Sequence, residues 1–360
     1  MTNLRIPGPI PVPEDILETM STQMINHRGP KFKDILYRAT DGLKKVFMTD
    51  NDVFILASSG TGAMEAAVTN TLSPGERVLC ASIGSFGDRF GSIAEIFGAQ
   101  VTKLNFEQGT AVDIDTLRRA LDSDPDITSV LVTHNETNTG VTNDLEAIAK
   151  VVKTEFNKLL LVDGISSVCS IPLKTDEWGL DVVATASQKG WMLPPGLAFI
   201  SMSERAWHAS QSSKMPKLYF DLTKYKEYYD IGQPPWTPNL SAIFALDFAL
   251  GKLLEEGIEE VWRRHSSIAR MTREGIVNIG LSVFPDEQIA SNTVTAVRSP
   301  AGVDADNLRS VVLKNHDVVL AGAYGELKGK MFRIGHLGYV TPEEINEMLV
   351  AIEEALQEVC

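Results

Sequence analysis

The sequence predicts an α/β protein: a mostly parallel sheet with helices on both faces, leading into a smaller C-terminal domain. Three observations predict it. Between about residues 50 and 200, short apolar runs alternate with amphipathic stretches, the pattern of parallel strands joined by crossover helices. From about residue 241 the pattern changes to two long helical stretches and then a second set of strand candidates. The chain has 360 residues, 44% of them hydrophobic and 22% charged, enough to bury a large core in two or so domains.

In chain order, NDVFILAS, ERVLCAS, AQVTKLNF, ITSVLVTH, KLLLVD and LDVVATAS read as buried strands, short and apolar. Between them GAMEAAVTNTL, FGSIAEIFG, DIDTLRRALDS and DLEAIAKVVKTEF carry helical periodicity. The segment PKLYFDLTKYKEYYDIGQPPWTPN, rich in Tyr and Pro, reads as an ordered surface excursion. SAIFALDFALGKLLEEG and IEEVWRRHSSIARMTREGIVNIG then read as long helices. We expect the domain boundary between them, with residues 1–255 forming an N-terminal segment and large domain and 256–360 the small one. The small domain has strand candidates NTVTAVRSP, VVLAGAY and KMFRIGHLG and closes with TPEEINEMLVAIEEALQEV. There Thr341 suits an N-cap, Pro342 the first helical position and Glu344 a capping box.

A net charge of −14 and the lack of a Lys/Arg stripe argue against a nucleic-acid partner. No apolar run approaches the ~18–20 residues of a membrane span. MTNLRIPGPIPVPEDI has no signal-peptide pattern and the chain ends EVC. Cys80, Cys169 and Cys360 suggest neither a disulfide framework nor a zinc site. A cytoplasmic protein with reduced thiols and no metal is the expectation.

In parallel α/β sheets ligands gather beyond the carboxyl ends of the strands. After NDVFILAS comes SGTGAMEAA, a glycine turn opening a helix. Backbone N–H groups at a helix start suit a phosphate, although a purely structural turn explains Gly60 and Gly62 equally well. After KLLLV comes Asp163, a carboxylate ending an apolar run; it either finds a partner or caps the next turn. After LDVVATAS come Gln188 and Lys189, and a single lysine can always snorkel to solvent. Taken together the three strand ends supply what pyridoxal 5′-phosphate requires. The set is an amine for a Schiff base, an anion for the pyridine nitrogen and a helix start for the phosphate. Burial also favours the free amine form of a lysine. Phe86, in ASIGSFGDRF, is suitably placed to cover a ring, or belongs to the core.

The stretches SSGTGAMEAAVTNTLSPGERVL, THNETNTGVTNDLEAI, LLLVDGISSVCSIPLKTDEWGLDVV, SQKGWMLPPGLA, SNTVTAV and FRIGHLG resemble the class V aminotransferases, within them most nearly the serine–glyoxylate group. The match runs in order from PGPIPVPEDIL to GHLG, nearly the whole chain. The resemblance implies the PLP-dependent transferase fold type I, with a mostly parallel seven-stranded sheet in the large domain and a small C-terminal α/β domain. It also implies a homodimer with active sites at the subunit interface. Lys189 would carry the cofactor as a Schiff base, Asp163 would pair with the pyridine nitrogen, and Phe86 would stack on the ring. Gly60, Thr61, Gly62 and Gln188 would bind the phosphate, with Thr137 near the phenolic oxygen and Thr237 reaching the neighbouring subunit's phosphate. Arg333 would hold the substrate α-carboxylate, a two-pronged pairing that lysine cannot copy. His27 and Arg28, in NHRGP, lie where the family places residues near the partner's pocket. QPPW precedes Thr237 where relatives usually offer a tyrosine.

The implied activity is a ping-pong transamination from a small L-amino acid, serine favoured, to glyoxylate or another small 2-oxo acid. Alanine or aspartate as donor, or a pyridoxamine–pyruvate transaminase, belong to the same cofactor class. A desulfurase or lyase would need a reactive thiol on a mobile loop, which neither Cys169 nor Cys360 supplies. A non-catalytic protein of this fold would be expected to lack Lys189 or Asp163.

Overall fold

The computed structural model describes residues 2–359. Its strands are β1 (Asn3–Arg5), β2 (Asp52–Leu56), β3 (Arg77–Ser82), β4 (Gln100–Asn105), β5 (Ser129–Thr133), β6 (Asn135–Glu136) and β7 (Val141–Thr142). They continue with β8 (Leu159–Asp163), β9 (Val182–Ala186), β10 (Ala198–Met202), β11 (Ser282–Val283), β12 (Val294–Arg298), β13 (Val318–Gly322) and β14 (Met331–Gly335). The helices begin with α1 (Glu14–Thr19), α2 (Pro30–Phe47), α3 (Gly60–Thr71), α4 (Ser85–Ile96), α5 (Ile114–Ser123) and α6 (Leu145–Ala149). They end with α7 (Glu204–Ser212), α8 (Leu222–Asp230), α9 (Leu240–Glu256), α10 (Ile258–Asn278), α11 (Ala305–His316) and α12 (Pro342–Val359).

The large sheet has seven strands in the order β2-β10-β9-β8-β5-β3-β4. Strand β10 runs antiparallel to both its neighbours, and every other pairing is parallel. Strands buried on both faces should be apolar throughout, and β5, β8, β9 and β10 are buried at every position. Alternation then splits each strand between two cores. Leu160 and Val162 of β8 face a cluster with α2 and α9, while Leu159 and Leu161 face one with α3, α4 and α8.

The six strands expected between residues 50 and 200 are present, and β10 adds the seventh. The helix expected over 144–156 is α-helical only to Ala149 and π-wound over Lys150–Glu155. The Tyr/Pro-rich excursion contains a regular helix, α8, capped by the Asp221 carboxylate.

The second sheet has the order β1-β13-β14-β12-β11 and packs on α10, α11 and α12. We propose the boundary near residues 255 and 256, where α9 ends and Gly257 turns the chain into α10. The first strand crosses it: Asn3–Arg5 pairs in parallel with Val318–Leu320 of the small-domain sheet. Arg5, only 1% exposed, donates from Nη2 to Glu344 Oε1 at 3.1 Å. The other Glu344 oxygen accepts from the Thr341 N–H at 2.9 Å, while the Thr341 hydroxyl accepts from the Glu344 N–H, closing the expected capping box. Among the described residues, no helix is long and apolar enough to cross a membrane.

Candidate active site

Strands β2, β9, β8, β5 and β3 open toward one edge of the large sheet, and the segments that follow them meet there. After β2 the chain enters α3 through Ser59, whose side chain makes no capping bond. The first N–H groups of the helix are thus left for another acceptor, at the positive end of the helix dipole. Close packing explains the glycines. A Cβ on Gly60 would stand 2.5 Å from Ile165 Cδ1, and one on Gly62 2.0 Å from Ser58 Oγ. Thr61 is exposed between them. Gln188 follows β9, and its Oε1 is buried without a hydrogen-bond partner; a flipped amide would present a donor instead.

Asp163 ends β8 and is 3% exposed. One carboxylate oxygen accepts the Ile165 N–H at 2.9 Å and the other the Thr133 hydroxyl at 3.3 Å. Burial pushes its carboxyl up to about 6, against the pull of those donors and of Lys189 and Arg89. Lys189 stands just beyond β9, its amine donating to the Pro7 carbonyl. Burial drives the amine down to about 8; Asp163 opposes this, while Arg333 and Arg89 add to it. A carboxylate held above its ordinary range and an amine held below it are the two halves of a site awaiting a polar ligand.

Arg333, on β14, is 4% exposed. It donates to the Gly322 carbonyl at 2.8 Å and to the Thr137 carbonyl at 3.1 Å, with no carboxylate in an ion pair. Burial lowers its pKa while Tyr324 and the charge of Glu136 oppose this, and among the described residues no carboxylate forms an ion pair with it. Tyr324 lies against it, with its ring centroid 4.6 Å from Cζ. The Tyr324 ring also meets Phe86 edge-on at 6.4 Å, and Arg89 covers the Phe86 ring at 5.0 Å. Phe86 itself opens α4, just after β3.

Other expected site residues lie elsewhere on the chain. Thr237 is exposed on the turn before α9. The indole N–H of Trp236 beside it donates to the Tyr219 carbonyl at 2.9 Å, and its ring stacks on that tyrosine. Arg28 is exposed, donates to Gln233 Oε1 at 2.9 Å and lies over the Tyr228 ring. It thereby meets Gln233, four residues before Thr237 in the chain, and half-buried His27 precedes it. Among the described residues, no hydrogen bond links these three to Lys189.

Sequence reasoning missed several residues of the site. Gly8 packs on Lys189 so closely that a Cβ would lie 2.9 Å from Nζ, and its φ of +119° is one that L side chains rarely adopt. Glu136, fully buried on β6, accepts the Phe86 and Asn138 N–H groups at 2.8 Å each. Burial lifts its carboxyl to about 7 despite these donors. The signal was available: Glu136 closely follows a buried strand, as Asp163 ends one. His134, whose N–H donates to the Asp163 carbonyl at 2.9 Å, is lowered to about 4 by burial and stays neutral. Cys80 and Cys169 are buried, and burial pushes both thiols up to about 12, the opposite of a reactive cysteine. Cys360 lies outside the described residues.

The arrangement suits a flat, anionic cofactor: an uncapped helix start, an orphaned amide on Gln188, a buried carboxylate and a lysine kept toward its free amine. Fold and site together define a pyridoxal-phosphate enzyme, and comparison with known proteins agrees. The family described as aminotransferase class-V matches residues 16–347. The "Soluble hydrogenase, small subunit" of Synechococcus sp. (strain PCC 6716) is 42% identical, over 99% of this chain and 93% of that one. The L-aspartate–glyoxylate aminotransferase of Paracoccus denitrificans is 38% identical over 93% and 86%. The serine–glyoxylate aminotransferase of Arabidopsis thaliana is 34% identical over 99% and 90%. Among solved structures, an alanine–glyoxylate aminotransferase from Nostoc sp. superposes with a TM-score of 0.95 at 30% identity, covering 99% of this chain and 95% of its own. The chain belongs to the class V aminotransferase family. It is a transaminase, and its cofactor is pyridoxal 5′-phosphate.

Proposed function

We propose that the protein moves the amino group of a small L-amino acid, L-serine first, to glyoxylate or another small 2-oxo acid. The observation that carries this is Arg333: a buried guanidinium whose charge acts on Lys189 and which, among the described residues, pairs with no carboxylate, so that an α-carboxylate would complete it. One such cation suits a donor with one carboxylate. When bound, the cofactor supplies an electron-withdrawing ring that stabilises negative charge at the donor's α-carbon.

This chain's residues do the rest. Lys189 holds the cofactor and, once freed, takes the proton from the donor's Cα; burial, which draws its amine down to about 8, brings it nearer the free-base form than an ordinary lysine. Asp163 pairs with the pyridine nitrogen and Phe86 covers the ring. Gly60, Thr61, Gly62 and Gln188 receive the phosphate, with Thr137 at the phenolic side. Donor and acceptor use the pocket in turn, so the kinetics are ping-pong. Thr237, His27 and Arg28, with no hydrogen bond to this chain's own Lys189 among the described residues, serve the partner's site in a homodimer. We place the enzyme in the cytoplasm.

A second reading has its own observation. Arg89 lies over Phe86 and acts on both Asp163 and Lys189, so it could receive a second carboxylate, as L-aspartate would need. The test is kcat/KM for L-serine, L-alanine and L-aspartate with glyoxylate, in the wild type and Arg89→Ala. The serine reading predicts that serine leads and that Arg89→Ala leaves it so. Aspartate leading, and losing its lead in Arg89→Ala, would replace serine by aspartate.

A further inference from the structure

We propose that Glu136 is a positioning residue that fixes the stacking aromatic Phe86 and the guanidinium of Arg333 relative to each other. The inference rests on the transaminase reading of this site, since it gives those two groups a shared task. Glu136 lies on β6, in the loop between β5 and β7, and is 0% exposed. It has no lysine or arginine in a salt bridge, which is costly for a buried carboxylate. Its bonds go to backbone N–H groups in two directions.

One arm runs to the large domain. Oε2 accepts the Phe86 N–H at 2.8 Å, which fixes the start of α4 and hence the ring. The other runs to the small domain. Oε1 accepts the Asn138 N–H at 2.8 Å. The Asn138 side-chain oxygen in turn accepts the Tyr324 N–H at 2.8 Å, and the Tyr324 ring lies against Arg333. Between Glu136 and Asn138, the Thr137 carbonyl accepts from Arg333 Nη1. The same loop docks the small domain elsewhere: Asn135 donates to the Thr293 hydroxyl at 2.9 Å, and the Gly140 carbonyl accepts the Ser291 N–H at 2.8 Å. One carboxylate thus sits where the ring-covering side chain and the carboxylate-binding side chain are both anchored.

The sequence makes room for it. A Cβ on Gly84 would lie 2.8 Å from Glu136 Cδ and Cγ. Gly84 has φ 160°, extended backbone that any residue adopts, so glycine is needed there for space alone. Alanine at that position would push the carboxylate without removing its charge.

The experiment compares wild-type, Glu136→Gln and Gly84→Ala holoenzymes by visible circular dichroism of the bound cofactor and by donor KM and kcat. We expect an altered cofactor signal, and a donor KM raised by roughly tenfold or more with a smaller change in kcat, as for loss of a charge-assisted hydrogen bond. Wild-type values in both readouts would overturn the proposal, and a changed cofactor signal with an unchanged KM would overturn the link to Arg333. If Glu136→Gln fails to fold, Gly84→Ala decides alone. A wild type that turns over none of the donors would count against the transaminase reading, and Glu136 would then stand or fall by the cofactor signal.

Discussion

Asp163 opposes the fold with the same carboxylate that we propose serves the cofactor. Its ordinary value of 3.8 rises to about 6 in the folded chain, because burial penalises the charged form. The folded state therefore binds this proton more tightly than the unfolded one. The stability it brings is full below 3.8 and is lost as pH rises through about 6. Replacing it by the neutral isostere in Asp163→Asn removes that loss. Above about pH 7 the cofactor-free variant should be more stable than wild type by up to roughly 3 kcal/mol. At low pH the two should converge, and the variant should bind cofactor more weakly. Thermal unfolding of both cofactor-free proteins across that pH range checks it; a gap that does not change with pH would refute the assignment of cause. At this scale the sequence drew attention to Asp163 and Lys189, polar side chains at the ends of apolar runs, but not to Glu136, just beyond another. Pro7 was illegible because it acts through its backbone carbonyl, which no residue type announces.

The start of α3 is the clearest case at the scale of an element. Its glycines were legible as a turn, but their reason is contact: Gly62 has Ser58 Oγ and Phe220 Cζ where a Cβ would go. Gly62→Ala must push the strand-to-helix turn open, at ~1–3 kcal/mol for overpacking. That displacement should show as cofactor affinity lowered roughly tenfold, with the far-UV spectrum kept. Titration of cofactor-free protein with pyridoxal phosphate measures it, and unchanged affinity would mean that the phosphate does not rest on this helix start. Other elements were less legible. Strand β10 follows the stiff stretch WMLPPG and returns antiparallel, so an eye set for strand–helix alternation stops at the turn. Helix α8 lies among tyrosines and prolines that weaken its pattern, and a capping aspartate holds it in place.

The whole molecule joins its two ends over the site. Residues 3–5 pair with 318–320, and a few residues later Pro7 and Gly8 cover Lys189. Periodicity is local, so the sequence could reveal each strand but not a partnership across three hundred residues. The sequence therefore groups the N-terminal segment with the large domain, while its first strand pairs in the small-domain sheet. The large sheet was legible because its strands are buried on both faces and read as continuous apolar runs. The roof of the site was not, because Pro7 and Gly8 reach Lys189 from just beyond an edge strand of the small-domain sheet.

We propose that Lys189, among all the lysines of the chain, bears the cofactor. The most direct measurement is borohydride reduction of the holoenzyme, followed by proteolysis and mass spectrometry of the peptides. Reduction fixes an imine as a stable amine, so the added cofactor mass should be found on the peptide containing Lys189 and be absent from Lys189→Ala. Cofactor mass on another lysine, or a reduced holoenzyme carrying none, would contradict the account.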